Sequence, residues 1–348
     1  MSAPALAAPP SRVVHDVRRA RRRRTRAVSS ALAVLLILLT WVDVTWGGYA
    51  GELFAHLGDV LGLGGQASFV VGRVRLPATL LGLLVGAAFG ISGALFQSVL
   101  RNPLASPDIL GVSGGASLAA AFAIIVLGLS GAVVGVAAFL GAAAVAAAIY
   151  LLAWRDGVAG YRFVLIGVGL AFAINAVINY LLTRSQVTDV RTVLVWTVGS
   201  LGTPRWGDVA ALALLLAAAI PLVLLAAARL RTLELGDDLA GGLGTRVELA
   251  RLLVLAVAVA LAASGTAFAG PVAFVAFISA PIARRMLPSG GLALIPAALV
   301  GACVVVAASV VTTHVITTME VPVGIITGAI GAPYLLWLLA SADRRERT

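Results

Sequence analysis

Ten apolar stretches divide this chain, and most are about twenty residues long, the length a helix needs to cross a bilayer. They fall near residues 27–46, 76–100, 109–129, 131–154, 162–183, 207–228, 249–270, 271–283, 291–312 and 322–340. Of the 348 residues, 61% are hydrophobic and 11% charged, with a mean hydropathy of +1.05. Lipid rather than water must therefore solvate most of the chain. The fold class that follows is an all-α, polytopic membrane protein.

The eighth stretch is short, and Pro271 and Pro281 interrupt it. Charge decides whether it crosses. Ten crossings, starting from a cytoplasmic N-terminus, place 20 of the 25 arginines inside; omitting the eighth lowers that to 15. The positive-inside bias favours ten crossings with both termini in the cytoplasm. Residues 1–26, with Arg18, Arg19 and Arg21 to Arg24, then read as a flexible tail anchored on anionic lipid headgroups. Residues 27–341 form the membrane domain, and 342–348 a short cytoplasmic tail.

The formal net charge of +10 raises the question of nucleic acid. The basic residues sit between apolar segments and at the chain ends, where membrane proteins carry cytoplasmic anchors, so no nucleic-acid partner is expected. No lysine occurs, which rules out a P-loop GxxxxGK and a lysine Schiff base. Any ATP hydrolysis must come from another polypeptide. Cys303 has no second cysteine to pair with, and His15, His56 and His314 are too scattered for a metal centre. No cofactor is expected, and no cluster suited to intramembrane catalysis is present.

The stretch from Arg73 to Ser117 holds the second and third apolar runs and the tight turn Arg101-Asn102-Pro103 between them. Gly82, Gly86 and Gly90, then Gly111 and Gly115, recur every four residues and so share a helix face where another backbone can approach. Asn102 precedes proline, which predicts a helix end nearby, and Pro107-Asp108 supplies a helix-start signal. A faint repeat pairs Ser92-Gly93 in the second run with Ser264-Gly265 in the seventh, both ahead of interrupted helices.

On these residues the chain resembles a known family. RNPLASPDILGVSGGA, and VPVGIITGAIGAPYLLWLL from Val321 to Leu339, are similar to signatures of permease subunits of bacterial ABC importers for ferric siderophores, haem and cobalamin. The resemblance implies a ten-helix permease working beside a second permease chain, a paralogue or a copy of itself. It also implies ATPase subunits and an extracytoplasmic siderophore-binding protein as partners. Arg284-Arg285 and Ala332-Pro333-Tyr334-Leu335-Leu336-Trp337 resemble the ferric catecholate branch. Where the family often has His or Gln after a proline, this chain has Ala280-Pro281, a departure that weakens a cobalamin assignment.

The loop Arg229 to Arg251 reads RLRTLELGDDLAGGLGTRVELAR and predicts a short helix over Asp237 to Leu243 between two glycines. It resembles the family's coupling loop at Leu235-Gly236, Ala240 and Leu243-Gly244, with Asp237, Asp238, Leu239 and Gly242 between them. That resemblance implies docking on the ATPase. For docking of the binding protein, the resemblance points to Arg75, followed by Pro77-Ala78 where the family often has another basic residue. The family's acidic and arginine positions near the ninth segment are Ser309 and Thr313 here, so Arg184 or Arg191 is the expected substitute.

Within the membrane, Asn175 and Asn179 lie one turn apart in the fifth segment, which lines the conduit in the family; Gln97 closes the second. Interhelical hydrogen bonding is the other role open to them. Gly86, Gly93 and Gly328 are pathway or packing positions. The competing reading is a secondary transporter driven by an ion gradient, which usually needs a buried carboxylate; Asp43, near the outer end of the first segment, is the candidate for it.

Overall fold

The structure is a computed structural model that describes residues 10–46, 69–108, 111–154, 160–287, 291–316, 319 and 321–346. These residues form twelve α-helices. In chain order they are α1 (Pro10–Thr45), α2 (Leu76–Val99), α3 (Val112–Ile125), α4 (Ala132–Ala153), α5 (Gly160–Thr183) and α6 (Val187–Val198). There follow α7 (Trp206–Leu233), α8 (Asp237–Gly242), α9 (Val247–Ala269), α10 (Val275–Met286), α11 (Leu294–Val310) and α12 (Val323–Glu346). A π-helical turn, Val71–Arg75, leads into α2, and another, Val311–Val315, extends α11.

Seven of these helices are long and apolar enough to cross a membrane, and Val112–Ile125 and Val323–Leu338 are shorter apolar helices. Ten helices match the ten apolar stretches. The other two, α6 and α8, occupy connections. The short α8 was expected; α6 was not, because Asp189 and Arg191 interrupt its apolar pattern. Three further details depart from the sequence reading. The N-terminal arm is helical from Pro10 and continuous with the first crossing, as its alanines and arginines favour. Helix α3 begins at Val112, four residues after Asp108. Pro281 lies inside α10, whereas Pro271 does fall in the break before it.

Helix α2 is the hub. Leu81, Val85, Phe89, Ala94, Leu95 and Phe96 on it are at most 1% exposed, as a helix apolar on every side must be once others surround it. It packs against α11, α9, α10 and α7. Glycine makes the closest of these approaches possible: a Cβ at Gly86 would strike the Gly301 carbonyl of α11, and one at Gly93 the Ala276 carbonyl of α10. On another side of α2, Ser92 Oγ donates to the Ala258 carbonyl of α9 at 2.6 Å, and Gly265 lies against the Phe89 ring. The two Ser-Gly pairs thus sit on facing helices.

Side-chain contacts sort the helix ends onto two faces. Arg101 after α2 reaches Leu233 at the end of α7, Gly291 before α11 lies against the Arg21 guanidinium, and Arg285 of α10 stacks on Trp337 of α12. Those ends share a face with α8. At the opposite face, Trp206 of α7 donates to the Gly72 carbonyl, His314 after α11 meets Asp43 of α1, and Gly324 of α12 donates to the Gly199 carbonyl after α6.

Candidate functional site

The α8 ledge forms because its sequence leaves little choice. Gly236 (φ 103°) and Gly244 (φ 80°) bracket the helix in left-handed backbone that other residues rarely adopt. Ala240 points inward and is buried. Leu235, Leu239 and Leu243 face away from the protein and are 55%, 63% and 68% exposed. Three bare leucines on a loop bounded by charged residues form an apolar patch suited to a protein partner. Asp238 is exposed, and Gly242 closes the helix.

Asp237 does more than begin α8. Its Oδ1 lies 3.3 Å from Arg101 Nη2, and its Oδ2 3.0 Å from Arg251 Nη2. Arg101 Nη2 also donates to the Leu233 carbonyl at 2.7 Å, and Arg251 Nη1 to Glu248 Oε1 at 2.7 Å. The sequence reading placed Asp237 in the loop but gave it no partner. Arg101 was visible only as part of the RNP turn, and Arg251 only as one charge among several.

Beside the ledge, Gln97 is buried, and its environment explains why. Pro281 has no N–H, so the Phe277 carbonyl four residues earlier loses its usual partner within α10. Gln97 Nε2 donates to that carbonyl at 2.9 Å. Its Oε1 accepts from Arg284 Nη1 at 3.3 Å, while Arg284 Nη2 donates to Ser98 Oγ at 3.1 Å. Gln97 therefore joins α2 to α10. A polar cavity of about 480 Å³ opens next to this joint, lined by Arg101, Asn102, Glu234 and Arg284.

In the turn between α2 and α3, Asp108 Oδ1 accepts from Ser113 Oγ, and the Asp108 N–H donates to Ser106 Oγ at 3.2 Å. Its Oδ2 is buried without a hydrogen-bond partner among the described residues. Burial pushes this carboxyl up to about 6, against the pull of the Ser113 and Ser106 hydrogen bonds.

On the opposite face Asp43 is 4% exposed. Its Oδ2 accepts from Thr79 Oγ1 at 2.7 Å and Ser309 Oγ at 3.1 Å, and His314 Nε2 lies 3.6 Å from its Oδ1. The cluster ties α1, α2 and α11 together. Arg75 Nη1 donates to the carbonyls of Val44 and Trp46, at 3.2 and 3.0 Å, and so caps the end of α1. Arg75 is thus half-buried and engaged within the chain, in contrast to the two other arginines expected to dock the binding protein. Arg184 and Arg191 are both exposed, with Arg184 5.5 Å above the Tyr180 ring. Ser309 and Thr313 line a cavity of about 860 Å³ on this face, together with Ser200, Thr203 and Thr312.

Asn175 and Asn179 are both exposed on α5, with Phe172 and Tyr180 exposed nearby. Asn175 Nδ2 bonds the Ala171 carbonyl of its own helix at 2.8 Å, not a neighbouring helix. A Cβ at Gly328 would meet nothing within 4 Å, so no helix packs closely there among the described residues. Gly86 and Gly93, by contrast, sit at the close helix contacts already described. The structure thus gathers the residues of α8 and its flanks, the RNP turn and Gln97 at one end, and leaves the α5 asparagines apart on an open flank.

Comparison with known proteins adds a lineage to this geometry. Residues 30–341 match the FecCD transport family. The chain is similar to the ferric enterobactin transport system permease protein of Escherichia coli (strain K12), at 35% identity over 331 residues, covering 92% of this chain and 99% of the relative. It is also 34% identical over 317 residues to the Fe(3+)-citrate import system permease protein of Bacillus subtilis (strain 168), covering 90% and 95% of the two chains. A solved structure described as an inward-facing conformation of a metal-chelate type ABC transporter superposes with a TM-score of 0.80 at 25% identity. That match covers 91% of this chain and 99% of the other.

Proposed function

The chain belongs to the FecCD transport family, and from that premise we propose that it is the membrane-spanning permease subunit of an ATP-driven importer of iron(III)-siderophore. It is a transporter component, not an enzyme. A separate ATPase subunit hydrolyses ATP, and the absence of lysine, hence of a P-loop, agrees with that division of labour. A second permease chain and an extracytoplasmic siderophore-binding protein complete the assembly. The α8 face is cytoplasmic, where the arginine-rich start of α1 meets anionic lipid headgroups, and both termini lie on that side.

The observation that carries this reading is the α8 ledge: three outward leucines, one on a glycine-bounded helix whose only buried residue is Ala240 and one just beyond each of its ends. Such a ledge suits docking on the ATPase, so that nucleotide-driven closure moves the membrane helices. On the other face, Arg184 and Arg191 are the exposed cations offered to acidic groups of the binding protein. The open flank of α5, with Asn175 and Asn179, gives a polar surface for a hydrated chelate between two permeases. The alternative of ion-gradient coupling is not favoured, because the similar solved structure is an ABC transporter and Asp43 serves here as a joint between helices, held by Thr79 and Ser309.

The test is uptake of radiolabelled iron chelates by a strain deleted for this chain. Complementation should restore uptake of ferric siderophore and leave haem and cobalamin uptake unchanged. Restoration of haem or cobalamin uptake alone would refute the cargo.

A further inference from the structure

Helix α8 poses a mechanical problem. It is six residues long and flanked at Gly236 and Gly244 by backbone without side chains to restrain it. Its sole buried side chain is the methyl of Ala240. A lever so lightly packed would pivot about its glycines when pushed, and the displacement would be lost before it reached the membrane helices. Something must make it rigid with respect to the bundle.

We propose that Asp237, held between Arg101 and Arg251, is a positioning residue that latches α8 to the central helix α2 and to α9, so that the three move as one body. The inference rests on the reading of α8 as the ATPase contact. The two carboxylate oxygens are divided between two cations from distant parts of the chain, Oδ1 to Arg101 at 3.3 Å and Oδ2 to Arg251 at 3.0 Å. Arg101 is aimed by its backbone, at φ 50°, a left-handed value that is strained for a residue with a side chain. The same guanidinium group holds the Leu233 carbonyl at 2.7 Å, so the end of α7 is fixed in the same joint. Arg251 is held in turn by Glu248 at 2.7 Å. Single ion pairs this exposed stabilise little, but a network with one shared carboxylate and two anchored guanidinium groups fixes geometry. What it anchors to is, among the described membrane-length helices, the one with the largest buried share.

The experiment uses the full complex of permease, ATPase and binding protein in proteoliposomes, and reads chelate transported per ATP hydrolysed. Asp237→Asn and Arg101→Gln should each lower that ratio about fivefold, and the double variant should be no worse than either single one. Asp237→Glu and Arg101→Lys, which keep the charges, should recover most of it. An unchanged ratio in Asp237→Asn overturns the latch, as does a double variant whose loss is the product of the two. If the uncharged variants fail to assemble while the charge-keeping ones assemble, the residues serve assembly and the latch is also refuted. A control separates this from the underlying reading: Leu239→Glu should release the ATPase from the purified complex. Retention of the ATPase would sink the coupling surface itself.

Discussion

Pro281 removes one hydrogen-bond donor from α10, and the side chain that replaces it is Gln97, which lies 180 positions before the Phe277 carbonyl it serves. Gln97→Leu leaves the Phe277 carbonyl buried and unpaired, which should cost about 1–3 kcal/mol, read as a lower thermal unfolding midpoint in detergent. Adding Pro281→Ala returns an N–H to α10, so the double variant should be more stable than Gln97→Leu alone; if it is not, the pairing is not what holds Gln97 in place. Asp108 offers a pH test. Its carboxyl rises from 3.8 to about 6 in the folded chain, so the native state holds the proton more tightly than the unfolded state. Its contribution to stability is therefore greatest below about pH 4 and is lost as pH rises to about 6, by roughly 3 kcal/mol at most. Asp108→Asn should flatten the stability profile between those values and raise the midpoint at neutral pH. An unchanged slope would contradict the buried carboxyl. Neither role could be read in the sequence, because Gln97 and Asp108 take their meaning from burial and, for Gln97, from a distant partner.

At the level of elements, local signals served where they were chemically sharp. Leucine-glycine pairs on either side of Ala240 marked α8 to within a residue, since only glycine suits backbone at φ 103° and 80°. The ten apolar stretches likewise became ten helices. Helix α6 was hidden because Asp189 and Arg191 sit among its valines; it is held by Val193, which is wholly buried. The capping role of Arg75 was hidden too, because the carbonyls it serves lie about thirty residues upstream. Gly236→Val with Gly244→Val should abolish iron uptake while the protein still reaches the membrane, since a Cβ at either position has nothing within 4 Å and both substitutions oppose the positive-φ backbone. Full uptake by that variant, with membrane levels checked by immunoblot, would remove α8 from the mechanism.

For the whole molecule, the contrast lies between a dry hub and a bare periphery. Helix α2 is sealed by its neighbours, while α5 presents Phe172, Asn175, Asn179 and Tyr180 outward and α12 presents Leu336 and Trp337. A bilayer covers the apolar part of such a flank but leaves the asparagines poorly solvated, which is the ground for the proposal of a second permease with a hydrated conduit between the two. In the proposed assembly the membrane subunit is a gate moved by a motor it does not contain. Proteoliposomes holding this permease and its permease partner, with and without the ATPase subunits, measure that claim directly. Ferric chelate delivered by the binding protein should accumulate only when the ATPase and ATP are both present, and a proton or sodium gradient should do nothing. Accumulation without the ATPase, driven by either gradient, would contradict it.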